Sequence, residues 1–345
     1  MANVTWADGL QVSRWAKELY SQAKNDTYLS RFFGGSGSAI QVLDNLKASK
    51  GKDITVGLKM KIDGSGVTGD STLAGNEVAI DNYSQTVTLD QLRQGVLSTG
   101  KMHNKKVLQD FRKEALDSLK IWFAETMEKD MMDTLSGVTR ASGTSLTTYT
   151  FGPTSGGGDM DYTVWNDNGT IKTTTPAAAL ASADVITPKL ISFAAARAKT
   201  LSTKIRPVRA NGKDYYILLV HPESAHELKQ NSTFMNAQQY AMPRGSDNPI
   251  FSGALGMWDG VVIHEHDLVQ RVSINSVHAN RNLFLGAQAG IAAYGSDHAW
   301  HEELVDRGNK LSISAAVIYE FAKANFNSTD FAVMELPCFA TSMSS

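Results

Sequence analysis

The sequence predicts an α+β fold organised around one long helix. Residues 104–135 contain no glycine or proline, and their apolar side chains recur at three- and four-residue spacing, as in an amphipathic helix. Asn104 suits the N-cap of this helix, and Ser136 followed by Gly137 suits its end. At a rise of about 1.5 Å per residue the helix would be about 48 Å long, which is typical of a strut. Strand-like segments precede and follow it.

The apolar stripe of this helix is expected to pack on β segments near the C-terminus. The predicted packing side chains are Phe111, Leu119, Trp122, Phe123 and Met127. The other side is expected to be solvated or to face the interior of an assembly or a neighbouring subunit, because it carries Lys106, Asp110, Lys113, Asp117, Lys120 and Glu128. The acidic pairs Glu128 with Asp130 and Glu302 with Glu303 are likewise interpreted as surface charge.

Composition excludes several classes of protein. The 345 residues carry a formal net charge of −2 and a pI of about 6.5, whereas readers of nucleic acid are usually more basic. Cys338 is the single cysteine and has no internal disulfide partner. No apolar run approaches the roughly 20 residues needed to span a bilayer, and the first residues lack a signal-peptide pattern. We therefore expect a soluble chain made inside the cell, without a cofactor.

The segments before the long helix predict an arm and a β-ribbon. Residues 1–48 form an N-terminal arm with a short helix at residues 11–24, which needs a surface to lie on. Residues 53–62 alternate strictly, with Ile54, Val56, Leu58, Met60 and Ile62 on one side. A glycine-rich loop follows, and residues 77–92 return as a second extended segment. Because a two-stranded ribbon is barely stable alone, its apolar face is expected to pack on a neighbouring subunit.

The glycine-rich loop matches G-x-G-x-x-G at residues 64–69. A dinucleotide site needs a strand, a turn and then a helix whose N-terminus meets the pyrophosphate. This loop lies between two β segments, so nucleotide binding is disfavoured.

The segments after the long helix predict a surface insertion and then an α/β body. Residues 138–186 are rich in Thr, Ser and Gly and predict an insertion with a hairpin at residues 166–169 and a domain boundary near residues 183–184. Thr187 and Pro188 begin a helix. Strands are predicted at residues 215–220, 261–265 and within 282–295, short helices at residues 223–231 and near 235–240, a long hairpin that turns at residues 306–309, and a last strand at residues 330–336.

Histidines give the only candidate metal site. His264 and His266 would share one face of a strand, and His298 and His301 form a second pair. No H-E-x-x-H motif is present, and polar histidines at a strand edge are the simpler interpretation. No nucleophile motif is present either, so no catalytic constellation is predicted.

Several strings, in order, resemble the Hong Kong 97-type major capsid proteins of tailed bacteriophages, and in particular their N4-like branch. They are KGKDITVGL, GDSTLAGNEVAI, VTLDQLRQGV, DFRKEALDSLKIWFAETMEKDMMDTLSG, YYILLVHPESAHELK, NPIFSGALGMWDGVVIHEHD and EELVDRGNKLSISAAVIYEFAKANFNSTDFAVMEL. The resemblance implies an N-arm (1–48), an E-loop ribbon (49–90), a P-domain with the spine helix (91–137), the insertion (138–186), an A-domain (187–295), P-domain strands (296–329) and a C-terminal strand returning to the A-domain (330–345).

What the resemblance implies is a shell subunit, not an enzyme. Many copies would form hexamers and pentamers of an icosahedral head around double-stranded DNA, with a portal and scaffolding or decoration proteins as further partners and only non-specific contact with the DNA. The subunit would be made and assembled in the host cytoplasm. Candidate contacts between subunits are Trp15, Arg31, Ile54, Val56, Leu58, Lys59, Met60, Lys61, Asp70 and Glu77.

Alternatives remain open from the residues alone. A bacterial nanocompartment shell protein has the same fold, and a metal-dependent enzyme would use the four histidines. Some shells of this fold carry a Lys–Asn crosslink, but Lys59, Lys61 and Asn76 show no partner constellation, so none is inferred.

Overall fold

The computed structural model describes residues 27–44, 47, 51–59, 66–77, 82–102, 111–137, 163–173, 180–201, 204–210, 212–241, 254–274, 277–326 and 329–343. Several sequence predictions lie outside these residues: the helix at residues 11–24 with Trp15, the helix start at Asn104, and Met60 and Lys61 of the ribbon.

The helices of the described residues are α1 (Phe111–Leu135), α2 (Pro188–Thr200), α3 (Pro222–Gln230) and α4 (Ser232–Ala241), after a 3-10 turn at Tyr28–Phe32. The strands before α1 are β1 (Phe33–Gly34), β2 (Ile40–Leu43), β3 (Asp53–Lys59), β4 (Asn82–Thr88) and β5 (Asp90–Leu97). Those after α1 are β6 (Trp165–Asp167), β7 (Thr170–Lys172), β8 (Val208–Ala210), β9 (Lys213–Val220), β10 (Ala254–Trp258), β11 (Val261–Glu265), β12 (Arg271–Ile274), β13 (Val277–Leu285), β14 (Gly290–Val305), β15 (Lys310–Lys323), β16 (Asn325–Phe326), β17 (Thr329–Asp330) and β18 (Val333–Phe339).

Two sheets organise these strands. The smaller sheet has five strands in the order β1-β2-β14-β15-β5, and the larger has the order β10-β11-β9-β13-β12, with β18 on β13 and β8 on β9. The predicted long hairpin is confirmed, since β14 and β15 pair antiparallel up to Val305 and Lys310. Its turn has positive φ angles of 54° at Asp306, 50° at Arg307 and 81° at Gly308, which makes glycine the favourable third residue.

The long helix packs across the smaller sheet. It ends at Leu135 as predicted, and Gly137 follows with a φ of 82°. The buried side of α1 meets the alternate, inward side chains of β15 in one apolar core. The Tyr319 hydroxyl donates a 2.5 Å hydrogen bond to Asp130 Oδ2, which fixes helix and strand to each other. The predicted packing of this helix on the C-terminal β segments is therefore confirmed.

The predicted charged side of α1 needs correction. Lys120 is buried, with Nζ 3.4 Å from Asp117 Oδ1. Glu128 and Asp130 are half-buried and bind other segments of the chain, so their interpretation as surface charge was wrong. Glu302 is half-buried and accepts from Arg112 Nε at 3.0 Å, whereas Glu303 is exposed as predicted. Sequence spacing placed Lys120, Glu128 and Asp130 away from the apolar stripe of α1, but α1 is covered on more than one side.

The core of the larger sheet follows the predicted α/β pattern. Residues 216–220 of β9 are buried, and β11 runs parallel to β9. The Thr187 side chain accepts a hydrogen bond from Leu190 N at 3.3 Å, as expected of an N-cap before Pro188. The last strand begins at Val333, three residues later than predicted, because Ala332 has a φ of 62° and interrupts the extended chain.

The predicted surface insertion is only partly right: among its described residues, 168–170, 172 and 181–183 are exposed, but several others are buried. Val164, Trp165, Leu180 and Ile186 are buried, and Trp165 is only 2% exposed. The hairpin of β6 and β7 is confirmed. Both oxygens of Asp184 accept 2.7 Å hydrogen bonds from backbone N–H groups, at residues 168 and 181, which fold this segment on itself. The Thr- and Gly-rich composition concealed these four buried apolar residues.

Candidate assembly site

The β-ribbon has the predicted pairing and the predicted faces. Strands β3 and β4 are antiparallel, with Ile54 opposite Val87 and Lys59 opposite Asn82. Ile54 is buried and Val56 and Leu58 are half-buried, whereas Thr55 and Gly57 on the other side are exposed. The second extended segment divides at Leu89, after which β5 joins the edge of the smaller sheet. The ribbon therefore leaves the body directly from a sheet strand.

The ribbon base is seated on its own chain, which corrects the expectation that only a neighbouring subunit could cover it. Ile54, Val87 and Leu89 form an apolar cluster with Ile291 and Ala293 of β14. Ile54 is only 7% exposed, so it presents little surface to another copy. Sequence periodicity identified the apolar side, but it could not identify which surface would cover it.

Hydrogen bonds also hold the ribbon base. Gln85 Nε2 donates to the carbonyl of Lys323 at 2.8 Å, and Gln85 Oε1 accepts from Asn325 N at 2.9 Å. A single amide side chain in β4 thus bridges to the end of β15 and the start of β16.

The far end of the ribbon is exposed. All described residues from 66 to 77 are exposed except half-buried Val67, and Leu73 keeps 60% of its surface in contact with solvent. Its hydrogen bonds include two within the loop, from Asn76 Nδ2 to the Thr72 carbonyl and from Gly75 N to Glu77 Oε2. An exposed loop carried on a fixed base is a suitable element for reaching another molecule.

The root of the N-terminal segment is fixed by a polar cluster that the sequence did not reveal. The Tyr28 hydroxyl lies 2.9 Å from His264 Nδ1, and the Tyr28 backbone N–H donates to Glu128 Oε1 at 3.1 Å. His266 Nε2 donates to the same carboxylate oxygen at 2.8 Å. Burial raises the pKa of Tyr28, as do Glu128 and Glu265, while Arg31 opposes them. This cluster joins three segments: the 3-10 turn, α1 and the end of β11.

His264 and His266 therefore join segments of the fold in this arrangement. His264 and His266 do share one face, but β11 lies between β9 and β10 and is not a sheet edge. Tyr28 and Glu128 occupy that face, and Phe32 lies against the His264 ring with centroids 5.1 Å apart. His301 lies in the smaller sheet and is exposed. The side chain of His298 is not among those that the structure describes. Within the described residues, no group of three metal-ligating side chains is found.

The side chains predicted for α1 packing lie on or beside the core. Leu119, Phe123 and Met127 are buried, while Phe111 and Trp122 are half-buried. Trp122 packs edge-on against Phe123 with ring centroids 4.9 Å apart. Ile121, one residue earlier, is 58% exposed.

The remaining contact candidates are distributed along the arm and ribbon. Arg31 is exposed and its guanidinium lies 4.0 Å from the centre of the Tyr28 ring. Asp70 and Glu77 are exposed in the ribbon loop. The side chain of Lys59 is not among those that the structure describes. No helix in the described part of the chain has the length and apolarity of a membrane span.

This architecture defines a Hong Kong 97-type capsid subunit: a long helix across a sheet, a ribbon leaving that sheet, and a second sheet with helices. A family model described as phage capsid protein matches residues 3–337, and the chain belongs to that family. The major capsid protein of Pseudomonas phage KPP25 is 29% identical over 357 residues and is covered to 94%, as is this chain.

Solved structures agree with this assignment. The capsid of Ralstonia phage GP4 matches with a TM-score of 0.76 and 27% identity, covering 92% of both chains. The cyanophage Pam1 capsid matches with a TM-score of 0.78 and 21% identity, covering 99% of both chains. An encapsulin complex from Synechococcus elongatus PCC 7942 has a TM-score of 0.51 at 13% identity, which shows a shared fold alone. The function is that of a phage major capsid protein, and assignment to the N4-like branch stays a prediction.

Proposed function

We propose that copies of this chain form hexamers and pentamers of an icosahedral head enclosing double-stranded DNA, with the ribbon as the main contact between neighbouring copies. The observation that supports this proposal is the contrast along the ribbon. Its base is buried on β14 of the same chain, whereas residues 66–77 are exposed and carry a 60% exposed leucine. Heterologous contacts of this kind close into rings when the rotation between copies closes.

The domain names follow the same proposal. Residues 1–48 serve as N-arm, 49–90 as E-loop, 91–137 as the spine-helix part of the P-domain and 187–295 as A-domain. Residues 296–329 supply the P-domain strands, and residues 330–345 return to the A-domain. The buried side chains at residues 164, 165, 180 and 186 favour grouping the described end of the 138–186 segment with the A-domain.

Fewer residues are suitable for contacts between subunits than the sequence alone suggested. Val56 and Leu58 are half-buried on the apolar side of the ribbon, and Asp70 and Glu77 are exposed in its loop, so these four have surface to offer. Arg31 is exposed at the root of the arm. Trp15, Lys59, Met60 and Lys61 remain candidates. Ile54 is better assigned to the ribbon base.

Other partners follow from the role. A portal and scaffolding or decoration proteins are proposed to meet the shell, which assembles in the host cytoplasm. The chain has a formal net charge of −2, so contact with packaged DNA would be non-specific and weakened by salt.

Removing residues 64–75 tests the role of the ribbon. Because the base packs on its own sheet, the shortened subunit is expected to keep its circular dichroism spectrum and its melting temperature. It should form no shells in electron micrographs. A control replaces the same residues with a Gly/Ser segment of equal length, which keeps the reach of the ribbon but removes its side chains. Normal shells from the deletion variant would show that the ribbon is not the main contact.

A further inference from the structure

A second buried polar cluster lies at the start of α3. Glu223 is 3% exposed and lies in the first turn of the helix, two residues after the N-cap His221. Its Oε2 accepts from His278 Nε2 at 2.8 Å and from Asn280 Nδ2 at 3.2 Å, both from β13. Its Oε1 accepts from the backbone N–H of Met343 at 3.1 Å. One carboxylate thus joins α3, β13 and the segment after β18.

The segment after β18 is attached to α3 at two carboxylates one turn apart. Besides the bond from Met343 to Glu223, the Thr341 hydroxyl donates to Glu227 Oε1 at 2.8 Å. The described residues 341–343 are themselves exposed. These two hydrogen bonds attach Thr341 and Met343 to one helix.

The surroundings of Glu223 favour its charged form. Burial by itself would raise the pKa of Glu223, but hydrogen bonds from His278, Met343 N and Asn280 outweigh it and hold the pKa below 4.5. Burial lowers the pKa of His221 from 6.5. The titratable and charged groups around Glu223, from the end of β9 to β13, are His221, Glu227, Asp267, Arg271 and His278.

We propose that Glu223 is a proton-operated clamp, which holds the backbone of Met343 on α3 when it is ionised and releases it when it is protonated. An ionised carboxylate has only acceptor sites, and three donors bind to those of Glu223. When Glu223 takes up a proton from solvent, one oxygen becomes a donor facing N–H groups, and the attraction of the carboxylate to Arg271 is lost. The backbone N–H of Met343 lies at the exposed end of this network and can exchange Glu223 for water.

The sign of the pH dependence follows from the direction of both shifts. A carboxyl with a depressed pKa contributes stability that is complete above its unfolded pKa and is lost as pH falls through its folded pKa. His221, held neutral by burial, loses its contribution as pH falls below 6.5. Protonation of Glu223 or of His221 therefore weakens the clamp at low pH, and neither group weakens it at high pH.

Spin labelling of the segment tests the clamp. Met343→Cys keeps the backbone N–H and places a thiol at an exposed position, while Cys338 is fully buried and does not compete for the label. Electron paramagnetic resonance of unassembled subunits should show a rigid label at neutral pH. The mobile component should become dominant in acid, at a pH below the ordinary titration range of a glutamate, and reverse on neutralisation, with the near-ultraviolet circular dichroism unchanged.

Three further variants separate the clamp from general acid unfolding. Glu223→Gln should give a mobile label already at neutral pH, and His278→Ala should move the midpoint to higher pH because it removes a donor that favours the charged form. Glu227→Gln, one turn along α3, keeps an acceptor for Thr341 and should leave the midpoint unchanged. A rigid label in Glu223→Gln, or a mobility independent of pH, would overturn the proposal.

The clamp goes beyond the proposed shell role, because it is a property of the folded subunit. Its test needs no assembled particle. A failure of the ribbon deletion experiment would therefore leave the result of the labelling experiment unaffected.

Discussion

Single buried polar residues join segments that are far apart in this chain. Glu128 connects the N-terminal root to α1 and the end of β11, and Glu223 connects α3 to β13 and the last described segment. Arg281, 1% exposed, pairs with Glu335 through two hydrogen bonds between β13 and β18. Breaking one partner of such a buried group is costly, because the other partner stays desolvated.

Replacement of Glu128 tests this principle at the N-terminal root. Glu128→Ala removes the acceptor for both Tyr28 N and His266 Nε2, and the expected loss of stability is about 1–3 kcal/mol. Urea unfolding measures it. Glu125→Ala is the matched control, since Glu125 lies one turn earlier on α1 and is exposed. An equal effect of the two substitutions would contradict the role assigned to Glu128.

Trp122 and Ile121 provide a second comparison between neighbouring residues. Trp122→Asp places a charge against Phe123 and the core and should abolish the soluble, folded subunit, since loss of the ring alone costs about 3–5 kcal/mol. Ile121→Asp, at a 58% exposed position, should leave the yield and the helical circular dichroism unchanged. Soluble Trp122→Asp with a native spectrum would show that this side of α1 is not packed.

At the scale of elements, the ribbon is divided into a base that belongs to the body and a loop that does not. Leu89 packs at Gly295 of β14, where an added Cβ would lie 2.7 Å from Leu89 Cδ1 and 3.0 Å from Ile318 Cγ2. The missing side chain at residue 295 therefore provides the space for the ribbon base. This division explains how a two-stranded element can project without unfolding.

Filling that space should loosen the ribbon base. Gly295→Ala is expected to cost about 1–3 kcal/mol through overpacking, and hydrogen exchange should increase in β3 and β4. Gly57→Ala is the control within the ribbon, because its Cβ would meet nothing within 4 Å and alanine suits a strand better than glycine. Unchanged exchange in Gly295→Ala would mean that Leu89 does not need this space.

At the scale of the whole molecule, the two sheets and α1 form one continuous core. The apolar cluster extends from Leu29 through α1 and β15 to Cys338 on β18. Cys338 is fully buried, and burial raises the pKa of its thiol to about 12. A thiol in this environment reacts only when the structure opens.

Cys338 should therefore report global unfolding. In the native subunit we expect labelling by a thiol reagent to be slow and to accelerate in parallel with the loss of circular dichroism as urea is added. Glu335→Gln, which weakens the buried pair with Arg281, should raise the labelling rate under native conditions. Fast labelling of the native wild-type subunit would contradict burial of β18.

Much of the local structure could be predicted because it depends on neighbours in sequence. Alternation in residues 53–59 predicted β3, the absence of glycine and proline predicted α1, and Thr187-Pro188 predicted the start of α2. Predictions failed where burial depended on distant segments. Trp165 of β6 and the half-buried Glu128 gave no local signal, because their partners include Ile274 and His266, respectively, each more than a hundred residues away in sequence.

The sequence by itself determined the long helix, the ribbon, the long hairpin and the resemblance to phage capsid proteins, because periodicity and local strings are properties of contiguous residues. Only the tertiary structure decided that the ribbon base rests on β14, that Tyr28, Glu128 and His266 fix the root of the N-terminal segment, and that Glu223 binds the backbone of Met343. The physical reason is that desolvation and hydrogen bonding depend on which segments meet in space, and spacing along the chain does not specify that.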